Sequence, residues 1–346
     1  MAATDRPVRT GDDPTKAVLS KSKLWKKDLQ DYVINVAMGC RHDCAFCYVP
    51  STPTIRTRPD VLADAADVEE PLAEWGTYVL HRDAEVVAKR LASTLENKRQ
   101  WRYTPVHGRG IVALSFSTDC YQDRLTADVT RACIRELAIK REYRVRVLTR
   151  NPILALQDMD LYREAAESNR VTIGSSIPSL NAEKVAAIER RAPAPGMRLS
   201  GLKEFSEAGV PVFVSMSPTY PTHTRADMYD LIRTFRDELP TLDVVFHEPI
   251  NGRGKYRKRT VMAAIHAGEH ELAAKVDNLK DRRYWRRYAV RQFRWVEEAA
   301  DDFGVPVKLW PDKELRDAVA ETADGDWVRG HYRLPSPENF ACGGDA

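Results

Sequence analysis

Short apolar runs alternate with segments of helical periodicity through the first 250 residues. Six runs have the length of buried β-strands and lie at 31–39, 110–116, 143–150, 170–177, 210–218 and 242–249. Helical spacing of apolar residues is found at 84–99, 125–141, 153–168, 181–191, 198–209 and 225–239. Strands that alternate with helices form parallel βαβ units with right-handed crossovers. The pattern therefore predicts an α/β fold, a partial TIM-type (β/α)6 barrel.

The last hundred residues have a different character. Apolar spacing there predicts a helix at about 268–303 and a short strand at 305–310. Between Arg253 and Trp295, thirteen Lys or Arg residues stand against four Asp or Glu. We therefore expect a basic, mainly helical C-terminal extension that caps the barrel. The predicted division is a polar N-terminal arm (1–29), a core barrel (30–250) and the extension (251–346).

Aromatic residues are interleaved with the basic ones in KYRKR (255–259) and DRRYWRRYAVRQFRW (281–295). Such a mixture can bind phosphates and stack on bases, which predicts nucleic acid as a partner of residues 253–295. At helical spacing Tyr284, Tyr288 and Trp295 share one face. The same pattern is typical of an amphipathic helix that packs its aromatic side chains on a barrel and leaves its arginines solvated. The sequence leaves both interpretations open.

Composition limits the classes of protein to be considered. The chain has 346 residues, with 53 Lys and Arg against 50 Asp and Glu, a net charge of +3. This balance excludes a uniformly basic nucleic-acid coat but allows a local patch. No run of about 18 apolar residues is present, so no membrane span is predicted. The N-terminus lacks the apolar core of a signal peptide, and we therefore expect a cytoplasmic protein.

Three of the six cysteines are close together in the sequence. Cys40, Cys44 and Cys47 fall within eight positions directly after the first predicted strand. In a reducing compartment this spacing indicates metal or redox chemistry. A structural zinc site needs four ligands, and Cys342 is the remote thiolate that could complete one, since His42 is expected to face solvent. A 4Fe-4S cluster takes one thiolate per iron, so three cysteines would leave one iron open for catalysis.

The segment CRHDCAFC (40–47) resembles the CX3CX2C motif of the radical SAM superfamily, with the usual aromatic residue before the third cysteine. The resemblance implies that the three cysteines ligate three irons of a 4Fe-4S cluster and that S-adenosyl-L-methionine (SAM) chelates the fourth. Reductive cleavage of SAM would then give a 5′-deoxyadenosyl radical. It also implies a reductant protein such as a flavodoxin or a ferredoxin.

Within the superfamily the chain resembles the spore photoproduct lyase-like group, also called SplB-type DNA repair photolyase-like proteins. Three stretches between residues 30 and 250 are similar to that group: CYVP (47–50), LSFSTDCYQ (114–122) and ERRAPAPGMRLSGLKEFSEAGVPVFVSMSP (189–218). GGE, the usual superfamily segment after the second strand, is replaced by STD (117–119).

This resemblance implies roles for individual residues. Phe46 would pack on the adenine of SAM. Ser117, Thr118 and Asp119 would lie near its amino group, with Asp119 as the preferred acceptor. The remaining candidates for SAM binding lie near the ends of later strands or on the following helix. Ser175 and Ser176 would contact ribose or carboxylate, and Arg198 would make a bidentate contact with the carboxylate. Among the polar residues at the end of the sixth strand, Glu248 is the preferred candidate, before His247 and Asn251.

Departures from the group concern the chemistry after SAM cleavage. Spore photoproduct lyases use a cysteine as final hydrogen donor and tyrosines beside the cluster motif. Here Tyr48 follows Cys47, but Phe46 replaces the other tyrosine, and Phe116 stands at the donor position. Cys120 is then the candidate donor, with Tyr48 as the second catalytic candidate. We therefore expect a related enzyme with another substrate.

Three functional hypotheses follow. The leading one is hydrogen abstraction from a nucleic-acid or nucleotide-like substrate. The first alternative is radical SAM modification of a small metabolite or peptide, including aminocarboxypropyl transfer if a different carbon–sulfur bond of SAM breaks. The second alternative is a non-catalytic nucleic-acid-binding module with a structural metal, which requires four protein ligands.

Overall fold

A computed structural model describes residues 7–22, 24, 29–97, 110–115, 117–252, 254–311 and 313–331. Its strands are β1 Arg9–Asp12, β2 Ser20–Lys21, β3 Tyr32–Ile34, β4 Ala37–Gly39, β5 Tyr78–His81, β6 Ile111–Leu114, β7 Arg144–Thr149, β8 Val171–Ser176, β9 Val212–Thr219, β10 Leu242–Pro249 and β11 Val307–Leu309. Its α-helices are α1 Pro53–Arg56, α2 Pro59–Ala66, α3 Ala84–Glu96, α4 Arg124–Ile134, α5 Pro152–Ala155, α6 Met159–Ala166, α7 Ala182–Ile188, α8 Pro195–Glu207, α9 Arg225–Glu238, α10 Gly254–His266, α11 His270–Asp277, α12 Arg282–Phe303, α13 Lys313–Val319 and α14 Gly325–Gly330.

One large sheet forms the body of the protein. Its strand order is β11-β10-β9-β8-β7-β6-β3-β2. The neighbouring pairs from β3 through β11 are parallel, and β2 is antiparallel to β3. The predicted α/β fold of parallel strands is confirmed. The sheet remains open in the described residues, with β2 at one edge and β11 at the other. Because the strands are parallel, their carboxyl ends lie along one edge.

A second, three-stranded sheet of order β1-β5-β4 lies beside the cysteine segment. Residues between the cysteines and β5, for which the sequence predicts no element, form the short helices α1 and α2. Pro53 and Pro59 begin these helices at a position where proline's missing N–H is not needed. Apolar residues of this small unit have their own core, against which Cys47 packs: Met38, Val49, Ile55, Leu62, Ala66, Val68, Trp75, Tyr78 and Leu80.

The C-terminal extension contributes a strand to the main sheet. β11 pairs parallel with β10, with Val307 opposite Val245. The single helix expected at 268–303 is wrong, because the chain forms α11 and α12 with a break between them. Asp281 causes the second helix to begin, since its side chain accepts hydrogen bonds from the N–H groups of Arg283 and Tyr284.

Helix α12 packs its aromatic face on the sheet. Tyr288 is buried and its hydroxyl donates to the carbonyl of Thr219 at 2.8 Å. Tyr284 and Trp295 are partly buried against the same core. Arg283 and Arg287 are exposed. Tyr288 therefore has a packing role, whereas the arginines remain accessible. Among the described helices, none combines the length and apolar character needed to cross a lipid bilayer.

A chain of buried hydrogen bonds joins α12 to the ends of β9 and β10. The Gln292 amide nitrogen donates to the carbonyl of Tyr220 at 2.7 Å, so its oxygen accepts from the Thr219 hydroxyl at 2.7 Å. Because the hydroxyl proton of Thr219 is donated to Gln292, the hydroxyl oxygen must accept a hydrogen bond from Nε2–H of His247 at 2.9 Å. The histidine is thereby fixed as the neutral Nε2–H form within the core.

Two buried histidines make stability depend on pH. Desolvation lowers the pKa of His247 from 6.5 to about 3, with a further contribution from His223, and lowers the pKa of His223 from 6.5 to about 4. Because folding lowers both pKa values, the contribution of these two groups to stability is fully present above pH 6.5. As the pH falls from 6.5 towards 4, the unfolded chain binds protons that the folded chain does not. The free energy of unfolding should decrease by up to about 1.4 kcal/mol per pH unit for each histidine.

Urea unfolding at pH 7 and at pH 5 tests this expectation. His247→Gln should reduce the number of protons that the chain takes up on unfolding by about one, so stability should fall less between pH 7 and pH 5. His266→Gln, a change at the exposed end of α10, should leave it as in the wild type. An unchanged pH dependence in His247→Gln would contradict this explanation.

Candidate functional site

The cysteine segment begins at the end of β4. Gly39 has a φ of +83°, and a side chain there would collide with the backbone and ring of Tyr78. This glycine turns the chain from the small sheet into the loop that carries Cys40, Cys44 and Cys47. All three cysteines are free thiols, with Cys44 buried and the other two partly buried. We call residues 40–47 the cysteine loop.

One side of the cysteine loop is held by residues 117–123, which follow β6. The backbone N–H of Arg41 donates to the side-chain oxygen of Gln122 at 2.8 Å. The Gln122 amide donates to the Thr118 hydroxyl at 2.8 Å, and Thr118 in turn donates to the carbonyl of Gly39. Thr118 is therefore placed beside the cysteine loop, and its hydroxyl proton is used to hold that loop.

The other side is held by residues 188–191 at the end of α7. The N–H of Ala45 donates to the carbonyl of Ile188 at 2.8 Å, and the N–H of Arg191 donates to the carbonyl of His42 at 3.1 Å. Arg190 forms an ion pair with Asp43 at 2.6 Å. The Glu-Arg-Arg stretch of the sequence thus lies directly on the cysteine loop.

Glu189 is the centre of a buried charge network. The residue is 1% exposed. Its carboxylate pairs with Nη1 of Arg198 at 2.8 Å and with Nη1 of Arg150 at 3.1 Å, and it accepts from the Tyr220 hydroxyl at 3.0 Å. Burial alone would raise the pKa of Glu189, but Arg150 and Arg198 hold it below the ordinary value. The carboxylate therefore remains charged.

Sequence reasoning did not identify Glu189 or Arg150. The guanidinium of Arg150 lies 5.4 Å from the ring centre of Phe46, a cation–π distance. Its position directly after β7 was an available signal, because polar residues at the carboxyl ends of parallel strands lie along the site edge. Glu189 lies on no strand, and its role depends on contacts with β7 and α8 that are distant in sequence.

Arg198 is completely buried and is used internally. Its Nε donates to the carbonyl of Pro193 at 2.7 Å, and Nη1 donates to the carbonyl of Ser176 at 2.8 Å. Nη2 has no hydrogen-bond partner among the described residues. The predicted bidentate contact with SAM would use two guanidinium nitrogens, but Nε and Nη1 are already engaged and Nη2 alone is free among the described residues. The structure therefore gives Arg198 a positioning role and leaves one nitrogen for a ligand.

Asp119 accepts hydrogen bonds from three groups. The donors are the hydroxyl of Thr149 at 2.6 Å and the N–H groups of Arg150 at 2.7 Å and Tyr121 at 2.9 Å. His42 Nε2 lies 3.2 Å from the same carboxylate. Burial would raise the pKa of Asp119, but His42 and these donors together lower it to about 2.

The expectation that His42 faces solvent is wrong. The side chain is 3% exposed. The carboxylate of Asp119 provides the physical reason, because one of its oxygens lies 3.2 Å from Nε2 of the imidazole.

The serines are near the same edge but differ in their contacts. The hydroxyl of Ser175 is buried and donates to the carbonyl of Thr149 at 2.7 Å. Ser176 supplies its carbonyl to Arg198. The backbone N–H of Ser117 donates to Asn35 at 3.1 Å, while its hydroxyl is buried without a partner among the described residues. Ser117 is thus the serine whose side chain can accept a new ligand.

The two catalytic candidates have different environments. Cys120 is fully buried in the main core, where its thiol donates to the carbonyl of Leu114 at 3.1 Å. Burial, with Asp119 nearby, raises the pKa of this thiol far above its ordinary value. The core position gives no support to a role as hydrogen donor. Phe116 and Cys342 lie outside the described residues.

Tyr48 follows Cys47 directly. Its side chain is 47% exposed, but its hydroxyl end is desolvated, which together with Glu248, Cys47 and Tyr256 raises the pKa of Tyr48. Glu248 belongs to β10 and Tyr256 to α10. Tyr48, Glu248 and Tyr256 thus bring together the residue after the cysteine loop, the sheet edge and α10, and we call these three residues the mouth of the site.

The donor set of the cysteine loop fits an iron–sulfur cluster. No three His, Cys, Asp or Glu side chains in the described ranges are arranged to hold a single metal ion. A cluster binds each thiolate at a separate iron, so its ligands need not meet at one point. Three buried polar atoms near the loop lack hydrogen-bond partners among the described residues, namely Ser117 Oγ, His42 Nδ1 and Arg198 Nη2. A polar ligand would satisfy such groups.

A family model of the radical SAM superfamily matches residues 34–235. This match covers more than half of the chain, and the protein belongs to the radical SAM superfamily. The family implies a 4Fe-4S cluster and SAM. The protein ORF301 of Acidianus two-tailed virus is 30% identical over 246 residues, which cover 70% of this chain and 74% of the viral protein.

Solved structures of spore photoproduct lyase have a similar fold. A tyrosine-to-phenylalanine mutant of that lyase superimposes with a TM-score of 0.58 at 15% identity, covering 87% of this chain and 80% of the lyase. A second mutant, with bound AdoMet and dinucleoside spore photoproduct, gives a TM-score of 0.51 at 16% identity. This match covers 73% of the present chain and 65% of the lyase chain.

Removing the charge of Glu189 should destabilise the protein. Glu189→Gln leaves Arg150 and Arg198 buried without their carboxylate, and such a loss costs about 3–5 kcal/mol. Glu183→Gln on the exposed side of α7 is the matched control and should change stability by less than about 0.5 kcal/mol. Urea unfolding of the metal-free protein measures both. Equal stabilities of the two variants would refute the proposed role of the network.

Gly76 tests the contact between the small unit and the cysteine loop. A methyl group there would overlap the side chain of Asp43, which Arg190 holds in place. Gly76→Ala should destabilise by about 1–3 kcal/mol and lower the iron bound after reconstitution. Gly196→Ala on α8 has open space around it and is the control. Full iron content in Gly76→Ala would show that the loop does not need this contact.

Proposed function

We propose that this protein is a radical SAM enzyme that holds a 4Fe-4S cluster through Cys40, Cys44 and Cys47. One observation carries the proposal: three free thiols lie on a loop clamped by residues 117–123 and 188–191 at the carboxyl edge of a parallel sheet. The cluster, when bound, supplies the electron that cleaves SAM reductively to a 5′-deoxyadenosyl radical for hydrogen abstraction.

The surrounding residues bind and orient SAM in this proposal. Phe46 presents its ring to the adenine, and the cation of Arg150 keeps that ring in position. Ser117 Oγ and Arg198 Nη2 provide buried polar atoms for hydrogen bonds to the ligand. Asp119 stays ionised because of its low pKa and holds His42 and the backbone of Arg150. Glu189 holds both arginines by ion pairs.

The proposed substrate is a nucleic acid or a nucleotide-like molecule. Exposed cations near the mouth and on the extension support this choice, since phosphates are bound by such groups: Lys255, Lys258, Arg283 and Arg287. A structure of similar fold holds a dinucleoside spore photoproduct. Tyr48, an exposed aromatic side chain directly after the cysteine loop, contacts the substrate in this proposal. A flavodoxin or a ferredoxin is the proposed source of electrons.

Product analysis of the reconstituted protein tests the function. The cluster is rebuilt anaerobically and reduced with dithionite, SAM is added, and products are identified by mass spectrometry. We expect 5′-deoxyadenosine, in larger amounts with DNA, whether UV-irradiated or undamaged, than without it. Methylthioadenosine would instead indicate aminocarboxypropyl chemistry, and 5′-deoxyadenosine with no response to either DNA would favour a small metabolite or peptide.

Cysteine variants distinguish the enzyme from a binding module with a structural metal. Cys40→Ala, Cys44→Ala and Cys47→Ala should each lose the cluster, seen as loss of bound iron and of its visible absorbance. Cys342→Ala and Cys133→Ala should retain both. A loss of metal in Cys342→Ala as complete as in Cys40→Ala would establish four protein ligands and remove the open iron that the proposal requires.

A further inference from the structure

Arg259 brings the C-terminal extension into contact with the cysteine loop. Its Nη2 donates to the carbonyl of Cys44 at 3.3 Å. The two residues are 215 positions apart in the chain. The same helix, α10, packs against α7 and α11, and Arg257 pairs with Asp277 to fix α10 on α11. The guanidinium of Arg259 is therefore held at the loop by a rigid helix.

Other arginines around the loop have a carboxylate partner. Arg150 and Arg198 share Glu189, and Arg190 pairs with Asp43. Arg259 forms no ion pair with a carboxylate in the part of the chain that the structure describes, and it is only partly exposed. No described carboxylate within ion-pair distance therefore neutralises its charge at the cysteine loop.

We infer that Arg259 makes the cluster held by Cys40, Cys44 and Cys47 easier to reduce. The inference rests on the proposed function. Reduction adds one electron from the reductant to the cluster, with no bond made or broken, and so increases the negative charge within the loop. A nearby cation stabilises the reduced state more than the oxidised state. Net charge and hydrogen bonding around the ligands are established determinants of cluster potential.

This role gives KYRKR (255–259) a second function besides phosphate binding. Tyr256 lies one turn before Arg259 and belongs to the mouth together with Tyr48. Thus α10 carries Arg259 beside the cysteine loop and Tyr256 beside Tyr48. Arg259 is a positioning residue in this account, since it acts through the cluster and touches no reacting atom.

A potentiometric titration tests the inference. Reconstituted full-length protein is titrated anaerobically with dithionite and mediators, without SAM, and the reduced cluster is followed by electron paramagnetic resonance. Arg259→Gln should have a more negative midpoint potential than wild type. We expect about a tenfold lower ratio of reduced to oxidised cluster at a fixed ambient potential. For a one-electron couple this corresponds to a shift of the midpoint potential by about 59 mV.

Lys258→Gln is the matched control, because it removes one positive charge from the adjacent, exposed position. Its midpoint should coincide with that of the wild type. Coincident midpoints for Arg259→Gln and wild type would overturn the inference, as would equal shifts in both variants.

If Arg259→Gln does not bind a full complement of iron and sulfide, the titration is made on Arg259→Lys instead. The shorter side chain keeps its charge but withdraws it from the Cys44 carbonyl, so the midpoint should move in the same direction by less. No movement in this variant overturns the inference. A wild-type protein that binds no 4Fe-4S cluster would instead overturn the proposed function itself.

Discussion

Glu189 places a carboxylate among apolar side chains, where an isolated negative charge would be strongly unfavourable. Arg150 and Arg198 offset that cost by direct ion pairs from two other elements of the fold. The three groups come from the ends of α7 and β7 and from the first turn of α8. Removing any one of these groups would leave a buried charge without its full compensation. The network therefore fixes the relative positions of these elements at the edge where the cysteine loop lies.

The cysteine loop depends on this arrangement because it has little regular structure of its own. Backbone bonds from Ala45 and Arg191 attach it to the end of α7, next to Glu189. Gln122 and Thr118 attach its other side to the segment after β6. A loop that carries a cluster must present its thiols in a fixed geometry, and here that geometry comes from neighbouring elements. Arg259 adds a contact to this loop from α10 in the extension.

Much of the fold follows from local patterns. The six predicted strands of the core occur within about two residues of their predicted bounds, except that 31–39 divides into β3 and β4. Buried parallel strands are continuous apolar runs, which explains this agreement. The break at Asp281 was harder to foresee, because helical spacing continues through it and only the capping side chain marks the new start. The small unit of α1 and α2 was also missed, since its core draws on residues from β4 and β5.

The sequence by itself determined the alternation of strands and helices, the spacing of Cys40, Cys44 and Cys47, and the superfamily that this spacing indicates. These features are local, and periodicity or a short motif is enough to recognise them. Only the tertiary structure decided that His42 is buried against Asp119, that Cys120 lies in the core, and that β11 joins the main sheet. Each of these depends on a partner distant in sequence, because burial and ion pairing are properties of contacts made only when the chain has folded.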